Sequence, residues 1–489
     1  MVSTKLANIG QLVTYDSISK AMILKEDVEI VLDGEKIIDI GHSLSDADNL
    51  INCNGMLVTP GFVDPHTHPV FLDGREDEFE MRLNGKSYEE ISNAGGGIIN
   101  STNGVKKSTE AELISKVRNR MDKFLALGTT TIECKSGYGL DKKSEIKSLQ
   151  VIHEINKSHN IDMVATFMGA HAFPKEFKND HDSYVDLICE DIIPAVAKQG
   201  IAEFNDVFCE VGYFNEGQTR KIILRGKEYG LIPRIHADEF TDSGSAVIAG
   251  DVGAISADHL MAVSNEGIEA LSENNVIATL LPGTTFFLGK KEYAPYKKLK
   301  NAGIDVALAT DYNPGSCNIQ SMPFIVSLAC IYLEMNILDA IKASTYIAAK
   351  SLMRNKDIGS IETFDDNDDS EEAKKQIITE AMVTPSSSLV GNTIENVSFR
   401  YRYNCIVIGL QRKSKIITSN MGELPLEPGD TLLIQGDRGS IKSLRTQSDL
   451  LPMEWATSEI SNKDISKKSI YIFLSVILLG ALEILPLVV

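Results

Sequence analysis

Short apolar segments of strand length alternate with longer amphipathic segments of helical period between residues 57 and 358. The predicted strands lie at 57–62, 129–134, 163–168, 206–210, 232–235, 254–257, 276–281 and 305–309. The clearest helical segments between them lie at 110–127, 143–157, 217–229 and 323–349. Eight such units predict an α/β fold, a closed (β/α)8 barrel of the TIM type, with a doubly wound sheet as the alternative. Polar residues at the ends of nearly all the strands favour the barrel, whose catalytic residues come from one face.

The residues before this pattern predict short strands. Residues 27–32 and 36–40 alternate apolar and polar side chains on either side of Asp33-Gly34, which is typical of a β-hairpin. We therefore assign residues 1–56 to short β-strands and residues 57–358 to the barrel.

A different pattern follows the barrel. Residues 359–376 contain the acidic run DDNDDSEE and are interpreted as a linker. Residues 377–450 predict a small α+β module, with strands at 404–409 and 431–435, a turn at 427–430 and a helix at 438–444. Residues 469–489 carry one charge and are long enough to span a bilayer, which predicts one apolar transmembrane helix. A buried core helix or an apolar tail is the alternative.

Charge and cysteine content narrow the class of function. The net charge of −20 argues against a nucleic-acid partner. The seven cysteines form no C-x-x-C pair, so we expect reduced thiols rather than disulfides or a thiolate metal site. No basic segment followed by an apolar run opens the chain, so no signal peptide is predicted. These features predict a cytoplasmic location for the barrel, with membrane association through 469–489 as an added expectation.

The strongest local motif is a pair of histidines directly after the first barrel strand. His66 and His68 are two residues apart, so in extended chain both side chains point to the same face. His236 and Asp311 follow two later strands in the same way. Three imidazoles and one carboxylate suit zinc or ferrous iron, so these four residues are predicted metal ligands.

Further polar side chains lie at strand ends and are candidates for substrate binding or proton transfer. They are Arg75, Lys135, Tyr138, His171, Glu239 and His259. Lys135 has a structural alternative as a buried charge partner. A divalent ion makes a water molecule acidic, Asp311 can accept and return a proton, and a neutral histidine can stabilise an oxyanion. This set of groups indicates hydrolysis of a C–N bond at a carbonyl or amidine carbon.

Longer motifs resemble those of the imidazolonepropionase family over about residues 1–360. In chain order they are HTHPVFLDGREDEFEMRLNGKSYEEISNAGGGI (66–98), TTTIECKSGYGLD (129–141), TFMGAHAFPKEF (166–177), IHADEFTDSG (235–244), SADHL (256–260), LLPGTTFFLG (280–289) and ATDYNPGSCN (309–318). The resemblance implies hydrolysis of 4-imidazolone-5-propanoate to N-formimidoyl-L-glutamate in histidine degradation. It also implies a homodimer and one Zn²⁺ or Fe²⁺/³⁺ ion per subunit.

The same resemblance assigns roles to individual residues. It implies that His66, His68, His236 and Asp311 hold the ion, and that Glu239, His259 and Asp311 act in catalysis. Arg75 matches the position that binds the propionate of the substrate, to which a guanidinium is well suited. The other implied substrate contacts are Tyr138, His171, Glu239, Asn313, Gly315 and Ser316.

The resemblance implies that residues 1–56 are the N-terminal strands of a small β-sandwich, which family members complete after the last barrel helix. Here the family resemblance ends after Gly359-Ser360-Ile361-Glu362. Residues 380–444 instead resemble the TrkA-C regulatory module of potassium-uptake regulators and ion-coupled permeases, chiefly through 389–391, 400–403 and 424–436. We interpret the chain as a fusion of two truncated sequences, and a membrane-anchored enzyme is the rival interpretation. The N-terminal strands are then expected to expose an apolar face, and a fragment 1–362 is expected to give poor soluble yield.

Two alternatives to the leading function follow from these observations. One is another cyclic amidine or amide hydrolase or deaminase of the same superfamily, for which a propionate-binding Arg75 would have no use. The other is a permease-associated binding protein in which the barrel is vestigial, against which the complete set of predicted ligands argues.

Overall fold

The computed structural model describes residues 2–86, 90 and 96–363 of the barrel region. In the C-terminal region it describes 376–385, 387–394, 396–397, 399, 403, 405–413, 415–417, 421, 424–437, 444, 449–452 and 458–459. The chain divides into two compact units, Met1–Phe364 and Asp365–Val489. The domain boundaries assigned from the sequence stay a prediction.

Two small sheets precede the barrel. The first has the order β5-β4-β1-β6, from β1 (Ser3–Ala7), β4 (Glu29–Asp33), β5 (Lys36–Gly41) and β6 (Asn49–Asn52). The second has the order β3-β2-β7, from β2 (Gln11–Asp16), β3 (Ala21–Glu26) and β7 (Leu57–Val58). The predicted hairpin is confirmed, since β4 and β5 pair antiparallel around Gly34, which has a φ of 60°.

Part of this N-terminal region presents apolar side chains to solvent. β6 is exposed along its length, and Leu50 and Ile51 keep 68% and 52% of their surface accessible. Met56 and Leu57, which follow it, are also exposed. An apolar exposed face was expected from the sequence, and the poor soluble yield of a fragment 1–362 stays a prediction.

Eight parallel strands form the barrel, as the sequence predicts. They are β8 (Phe62–Asp64), β9 (Thr129–Lys135), β10 (Asp162–Ala170), β11 (Phe204–Cys209), β12 (Ile232–Ala237), β13 (Ser256–His259), β14 (Ile277–Leu280) and β15 (Val306–Leu308), hydrogen-bonded in that order. The ring closes beyond β8 and β15, where the Asp311 amide donates to the His66 carbonyl at 3.1 Å and the His68 amide donates to the Tyr312 carbonyl at 2.8 Å. Closure therefore brings the first and last predicted metal-binding motifs side by side.

Helices surround the strands and bury the core between the two layers. They are α1 (Glu76–Leu83), α2 (Ile98–Lys107), α3 (Glu110–Ala126), α4 (Lys142–Asn156), α5 (His181–Leu187), α6 (Ile193–Gln199), α7 (Glu216–Glu228), α8 (Ser245–Asp251), α9 (Asn265–Glu273), α10 (Pro282–Phe287), α11 (Tyr296–Asn301), α12 (Met322–Tyr332), α13 (Ile337–Ala343) and α14 (Tyr346–Ser351). A π-helical turn, Ile188–Ile192, joins α5 to α6, and a short 3₁₀ helix spans Lys175–Phe177. Helix α3 begins with a capping box between Thr109 and Glu112, a sequence signal for a helix start.

Two predicted elements are wrong in extent. The predicted strand 57–62 is two strands in different sheets, β7 and β8, because Pro60 and Gly61 interrupt it. The predicted helix 323–349 is three helices, α12, α13 and α14. The chain turns at Glu334, which has a φ of 55°, and the Asn336 side chain then caps α13 by accepting from the Asp339 amide at 2.8 Å.

The C-terminal unit contains an antiparallel sheet. Its strands are β16 (Gln376–Val383), β17 (Cys405–Arg412), β18 (Lys415–Ile417), β19 (Thr431–Asp437), β20 (Leu450–Pro452) and β21 (Ser458–Glu459). The order is β18-β17-β19-β16-β20, and β21 also pairs with β16. The two strands predicted at 404–409 and 431–435 are confirmed as β17 and β19. The predicted helix at 438–444 and the predicted spanning helix at 469–489 fall, except for residue 444, outside the described residues, within which no helix is long and apolar enough to cross a bilayer.

Candidate metal centre

The four predicted ligands converge at the C-terminal ends of the barrel strands. The Nε2 atom of His68 lies 3.3 Å from Nε2 of His66 and 3.3 Å from Nε2 of His236. One carboxylate oxygen of Asp311 lies 3.7 Å from Nε2 of His66 and 3.6 Å from Nε2 of His68. All four side chains are buried. Residues that are 245 positions apart in sequence thus present donor atoms to one point.

The chemistry of these donors fits a bound cation. His66 uses Nδ1 to contact an Asp258 carboxylate oxygen at 2.7 Å, so its Nε2 atom carries a lone pair that faces the other donors. Burial, reinforced by neighbouring positive groups, lowers the pKa of His66 and of His68 well below the ordinary value, which keeps both rings neutral. Neutral imidazole nitrogens that face one another beside a carboxylate are suited to coordinate a metal ion.

Asp311 is held by its own turn. Its backbone has a φ of 53°, and the Thr284 hydroxyl donates to its second carboxylate oxygen at 2.5 Å. Burial raises the pKa of Asp311 to about 6. The Thr284 contact leaves the other oxygen of Asp311 for the cluster.

Glu239 and His259 border the cluster. Nε2 of His259 lies 3.7 Å from a carboxylate oxygen of Glu239, and His259 also offers a nitrogen within 4.8 Å of donor atoms of His66 and His236. Burial, followed by the nearby charge of Asp311, raises the pKa of Glu239 well above its ordinary value. Burial likewise lowers the pKa of His259, so this ring is neutral and can donate a hydrogen bond.

The backbone at His259 is strained. His259 and Leu260 have φ values of 83° and 61°, a conformation that costs energy for residues other than glycine and that concentrates at functional sites. The Leu260 amide donates to the Ala237 carbonyl at 3.0 Å, which holds this turn against the end of β12. His259 is therefore aimed at the cluster by a conformation that the neighbouring strand maintains.

Tyr138 and His171 lie beside His68, in the loops that follow the next two strands, β9 and β10. The His171 ring stacks on the His68 ring with centroids 5.0 Å apart, and the Tyr138 and His171 rings are 5.1 Å apart. Nδ1 of His171 contacts the Gly137 carbonyl at 3.0 Å. The buried Glu145 carboxylate accepts from the amides of Gly137, Gly139 and Leu140, and so fixes the loop that carries Tyr138.

Arg75 is a buried cation at the same end of the barrel. Its Nε lies 3.6 Å from a Glu78 carboxylate oxygen, and its Nε and Nη1 atoms have no hydrogen-bond partner among the described residues. Its amide donates to the Pro314 carbonyl at 3.0 Å, which ties Arg75 to the loop that follows Asp311. A buried guanidinium with donors to spare is costly unless a ligand supplies acceptors.

The loop after Asp311 is organised by Asn313. The side-chain oxygen Oδ1 of Asn313 accepts from the backbone amides of Gly315 and Ser316, and its side-chain NH2 group donates to the Asp311 backbone carbonyl. A Cβ atom on Gly315 would lie 1.4 Å from Nη2 of Arg75, so only glycine leaves room for the guanidinium. The structure therefore brings Asn313, Gly315 and Ser316 next to Arg75, where the sequence predicts a substrate loop.

Three functional candidates were missed from the sequence. Asp206 and Asp258 lie behind His236 and His66 respectively, and Arg234 lies 3.5 Å from Asp258. Lys135, for which a structural role was an open alternative, forms ion pairs of 2.8 Å with Glu133 and with Asp206. The sequence contained one signal that could have found them, a charged residue inside a strand whose other residues are apolar. Such a residue must face a polar barrel interior.

A parallel barrel that gathers imidazole and carboxylate donors at its C-terminal strand ends defines a hydrolase barrel of the amidohydrolase type. Solved structures share this fold. Guanine deaminase from C. acetobutylicum with bound guanine has a TM-score of 0.53, with 18% identity, 74% of this chain and 88% of that chain covered. A mutant of atrazine chlorohydrolase from Arthrobacter aurescens, complexed with zinc and atraton, has a TM-score of 0.53 and 18% identity, and the match covers 74% of this chain and 85% of that chain.

Curated relatives narrow the class to one family. Imidazolonepropionase of Shouchella clausii is 48% identical over 345 residues, which are 68% of this chain and 76% of that protein. Imidazolonepropionase of Geobacillus thermodenitrificans is 45% identical over 370 residues, 72% of this chain and 87% of that protein. The chain belongs to the imidazolonepropionase family. Its residues 378–448 match the TrkA-C domain.

Proposed function

We propose that the chain hydrolyses 4-imidazolone-5-propanoate to N-formimidoyl-L-glutamate. One observation carries the proposal: two donor groups that share His66, one with His68 and Asp311 and one with His236 and His259, lie at the same barrel end as the Arg75 guanidinium, whose Nε and Nη1 atoms have no partner among the described residues. A donor cluster alone would suit many hydrolases of this fold. The Arg75 guanidinium can in addition bind an anionic group of the substrate. The propionate of this substrate is such a group.

The proposed ligands are His66, His68, His236 and Asp311, which would hold one zinc or iron ion. When bound, such an ion supplies Lewis acidity, so that a water molecule loses a proton near neutral pH. The nitrogen-rich donor set suits both zinc and ferrous iron, and both stay in the proposal.

The chain's own residues would carry the proton transfers. Asp311 would accept the proton of the attacking water, and would later return it to the ring nitrogen as the C–N bond breaks. The neutral His259 would donate a hydrogen bond to the oxygen that gains negative charge at the attacked carbonyl. Glu239, whose raised pKa favours the protonated form, would hydrogen-bond the imidazolone ring and relay a proton.

The substrate would bind between this cluster and Arg75. The side chains of Tyr138 and His171 would contact the ring and carboxylate, since both pack beside His68. The loop of Asn313, Gly315 and Ser316 would fix the propionate against the guanidinium. This loop follows Asp311 directly in the chain, and its Pro314 carbonyl accepts from the Arg75 amide. A rigid span between the reacting carbon and the anionic arm would exclude substrates that lack such an arm.

A direct assay tests the proposal. The purified full chain, loaded with zinc or with ferrous iron, is expected to remove the ultraviolet absorbance of the imidazolone and to release N-formimidoyl-L-glutamate. Guanine and other cyclic amidines without a carboxylate arm serve as control substrates. Turnover of these controls at a rate equal to that of the propanoate would contradict the assignment.

Substitution of Gly315 by alanine is expected to raise KM by about 10–100-fold, which corresponds to the loss of one or two charge-assisted hydrogen bonds. The added methyl group would occupy the place of Nη2 of Arg75 and push the guanidinium away. Steady-state kinetics, with metal content measured on the same sample, checks this. Gly217→Ala on α7 is the matched control, since a Cβ there meets open space apart from Asn215 at 3.7 Å, and it should leave KM unchanged.

The homodimer and the membrane association through 469–489 are predictions that accompany this proposal. The TrkA-C match at 378–448 agrees with the module predicted there from the sequence.

A further inference from the structure

Two buried carboxylates lie behind the candidate metal centre and have no role in the proposed chemistry. Asp206 is in β11 and Asp258 is in β13, and both side chains are inaccessible to solvent. Each one contacts the imidazole of a proposed ligand on the side that faces away from the cluster. The two carboxylates share one geometric feature, and this feature determines how each of them can act on its imidazole.

In each pair a fixed cation and an imidazole share one carboxylate oxygen. Oδ2 of Asp206 lies 2.8 Å from Nζ of Lys135 and 3.0 Å from Nδ1 of His236. An ammonium group has only donors, so the oxygen that faces it acts as an acceptor. A proton on the Nδ1 atom of His236 would face this oxygen, and the Nε2 atom would then keep a lone pair for the cluster.

Asp258 repeats the arrangement in β13, on the other side of β12 from Asp206. Its Oδ2 atom lies 2.7 Å from Nδ1 of His66 and 3.5 Å from Nη2 of Arg234. The Arg234 guanidinium is held in place, because it donates to the carbonyls of Ser351 and Pro65 at 2.9 and 3.0 Å. A guanidinium also has only donors, so it enforces the same polarity as Lys135.

We propose that Asp206 and Asp258 are positioning residues, each fixed by an interior cation, that set the tautomer and the orientation of His236 and His66. The inference rests on the proposed function, in that it concerns the cation which these imidazoles would bind. A carboxylate or carbonyl behind a metal-binding histidine orients the ring and increases its basicity, and its loss weakens metal binding by about 10–100-fold.

Asp206 is not needed merely to neutralise Lys135. The Glu133 carboxylate already lies 2.8 Å from Nζ of Lys135, so the ammonium keeps an ion pair when Asp206 is removed. A carboxylate that Lys135 does not require for charge balance, and that lies 3.0 Å from Nδ1 of His236, is available to act on His236.

The test compares Asp206 variants in the full chain, with Zn²⁺ as the probe and competition against a chromophoric chelator as the measurement. Asp206→Asn keeps an acceptor for His236 and Lys135, and should weaken zinc binding by about tenfold or less. Asp206→Leu removes the acceptor and should weaken it by about 100-fold. Absorption spectra of the Co²⁺-loaded proteins should change for Asp206→Leu, because a released His236 alters the coordination geometry.

A double variant separates positioning from stability. Lys135→Met/Asp206→Leu, made in a Glu133→Gln background so that no buried carboxylate loses its cation, replaces the interior ion pairs by uncharged side chains, which often restores or increases stability. We expect its thermal stability to recover towards that of the wild type while its zinc affinity stays about 100-fold low. Glu203→Gln, which removes a carboxylate paired with Arg354 outside the cluster, is the matched control and should bind zinc as the wild type does.

The outcomes are distinct. Zinc binding by the double variant at the wild-type affinity, or equal losses for Asp206→Asn and Asp206→Leu, would overturn the inference. A wild-type chain that binds no zinc or iron and hydrolyses no imidazolone would overturn the proposed function instead. The variants therefore test the positioning role of Asp206, and the wild-type chain tests the proposed function.

Discussion

The full chain freed of metal by a chelator is expected to hydrolyse 4-imidazolone-5-propanoate at least about 10³-fold more slowly than the loaded chain. This factor corresponds to about 4 kcal/mol, within the several kcal/mol that a bound cation contributes to stabilising charge in a transition state. The expectation follows from the convergence of the His66, His68 and Asp311 donors in a buried site. Metal content by atomic spectroscopy, followed by the rate before and after addition of one equivalent of Zn²⁺ or Fe²⁺, provides the measurement.

Two histidine variants test whether the loss of activity on metal removal arises at the candidate centre. His236→Ala should lower both the metal content and the rate, because one of the converging imidazoles is lost. His159→Ala is the control, since His159 lies just before β10, at the opposite end of the strands from the cluster, where it contacts Asp122 at 3.1 Å, and the variant should keep both quantities. Full activity in a preparation whose metal content is below about a tenth of an equivalent would refute a metal-dependent mechanism.

The barrel could be predicted from the sequence because its strands and helices differ in hydrophobic period. The pattern did not place every boundary. The apolar run at 57–62 predicts one strand, and the Pro60-Gly61 pair inside it was the available evidence that the chain changes sheet there. The run at 323–349 has a continuous helical period, and the turn at Glu334 became visible only from its backbone conformation.

The predicted ligands came from a local motif and from two later strand ends, and closure of the barrel brings their side chains together. The residues behind them could not be predicted in this way. Asp206 contacts His236 from the neighbouring strand, whereas Asp258 contacts His66 from a strand that does not adjoin β8, and both contacts depend on the three-dimensional arrangement of the barrel. Parallel pairing sets His236 beside Phe208 in β11 and beside Asp258 in β13, yet the Asp258 side chain contacts His66 rather than His236, which the strand order alone would not have predicted.

Arg75→Met is expected to lower kcat/KM for 4-imidazolone-5-propanoate by about 10²–10³-fold, since truncation of one partner of a buried charge pair costs about 2–5 kcal/mol. The methionine keeps most of the aliphatic volume and removes the guanidinium, so the loss reports on the charge and the hydrogen bonds. The proposed metal ligands are not touched, and the metal content should stay at the wild-type value. Steady-state kinetics on the metal-loaded full chain is the measurement.

A second substrate, which lacks the carboxylate, isolates the contribution of the contact between Arg75 and the propionate. An imidazolone with an uncharged propyl arm should react slowly with the wild type and at about the same rate with Arg75→Met, because neither pair contains both the guanidinium and the carboxylate. Arg120→Met is a poor control, since Arg120 donates to the carbonyls of Pro69 and Phe71 and supports the His68 loop. Arg220→Met is a better one, because Arg220 pairs with Asp251 and Glu216 at the surface. If Arg75→Met lowered the rates for both substrates equally, Arg75 would be a structural residue, and the anionic arm would have to be bound elsewhere.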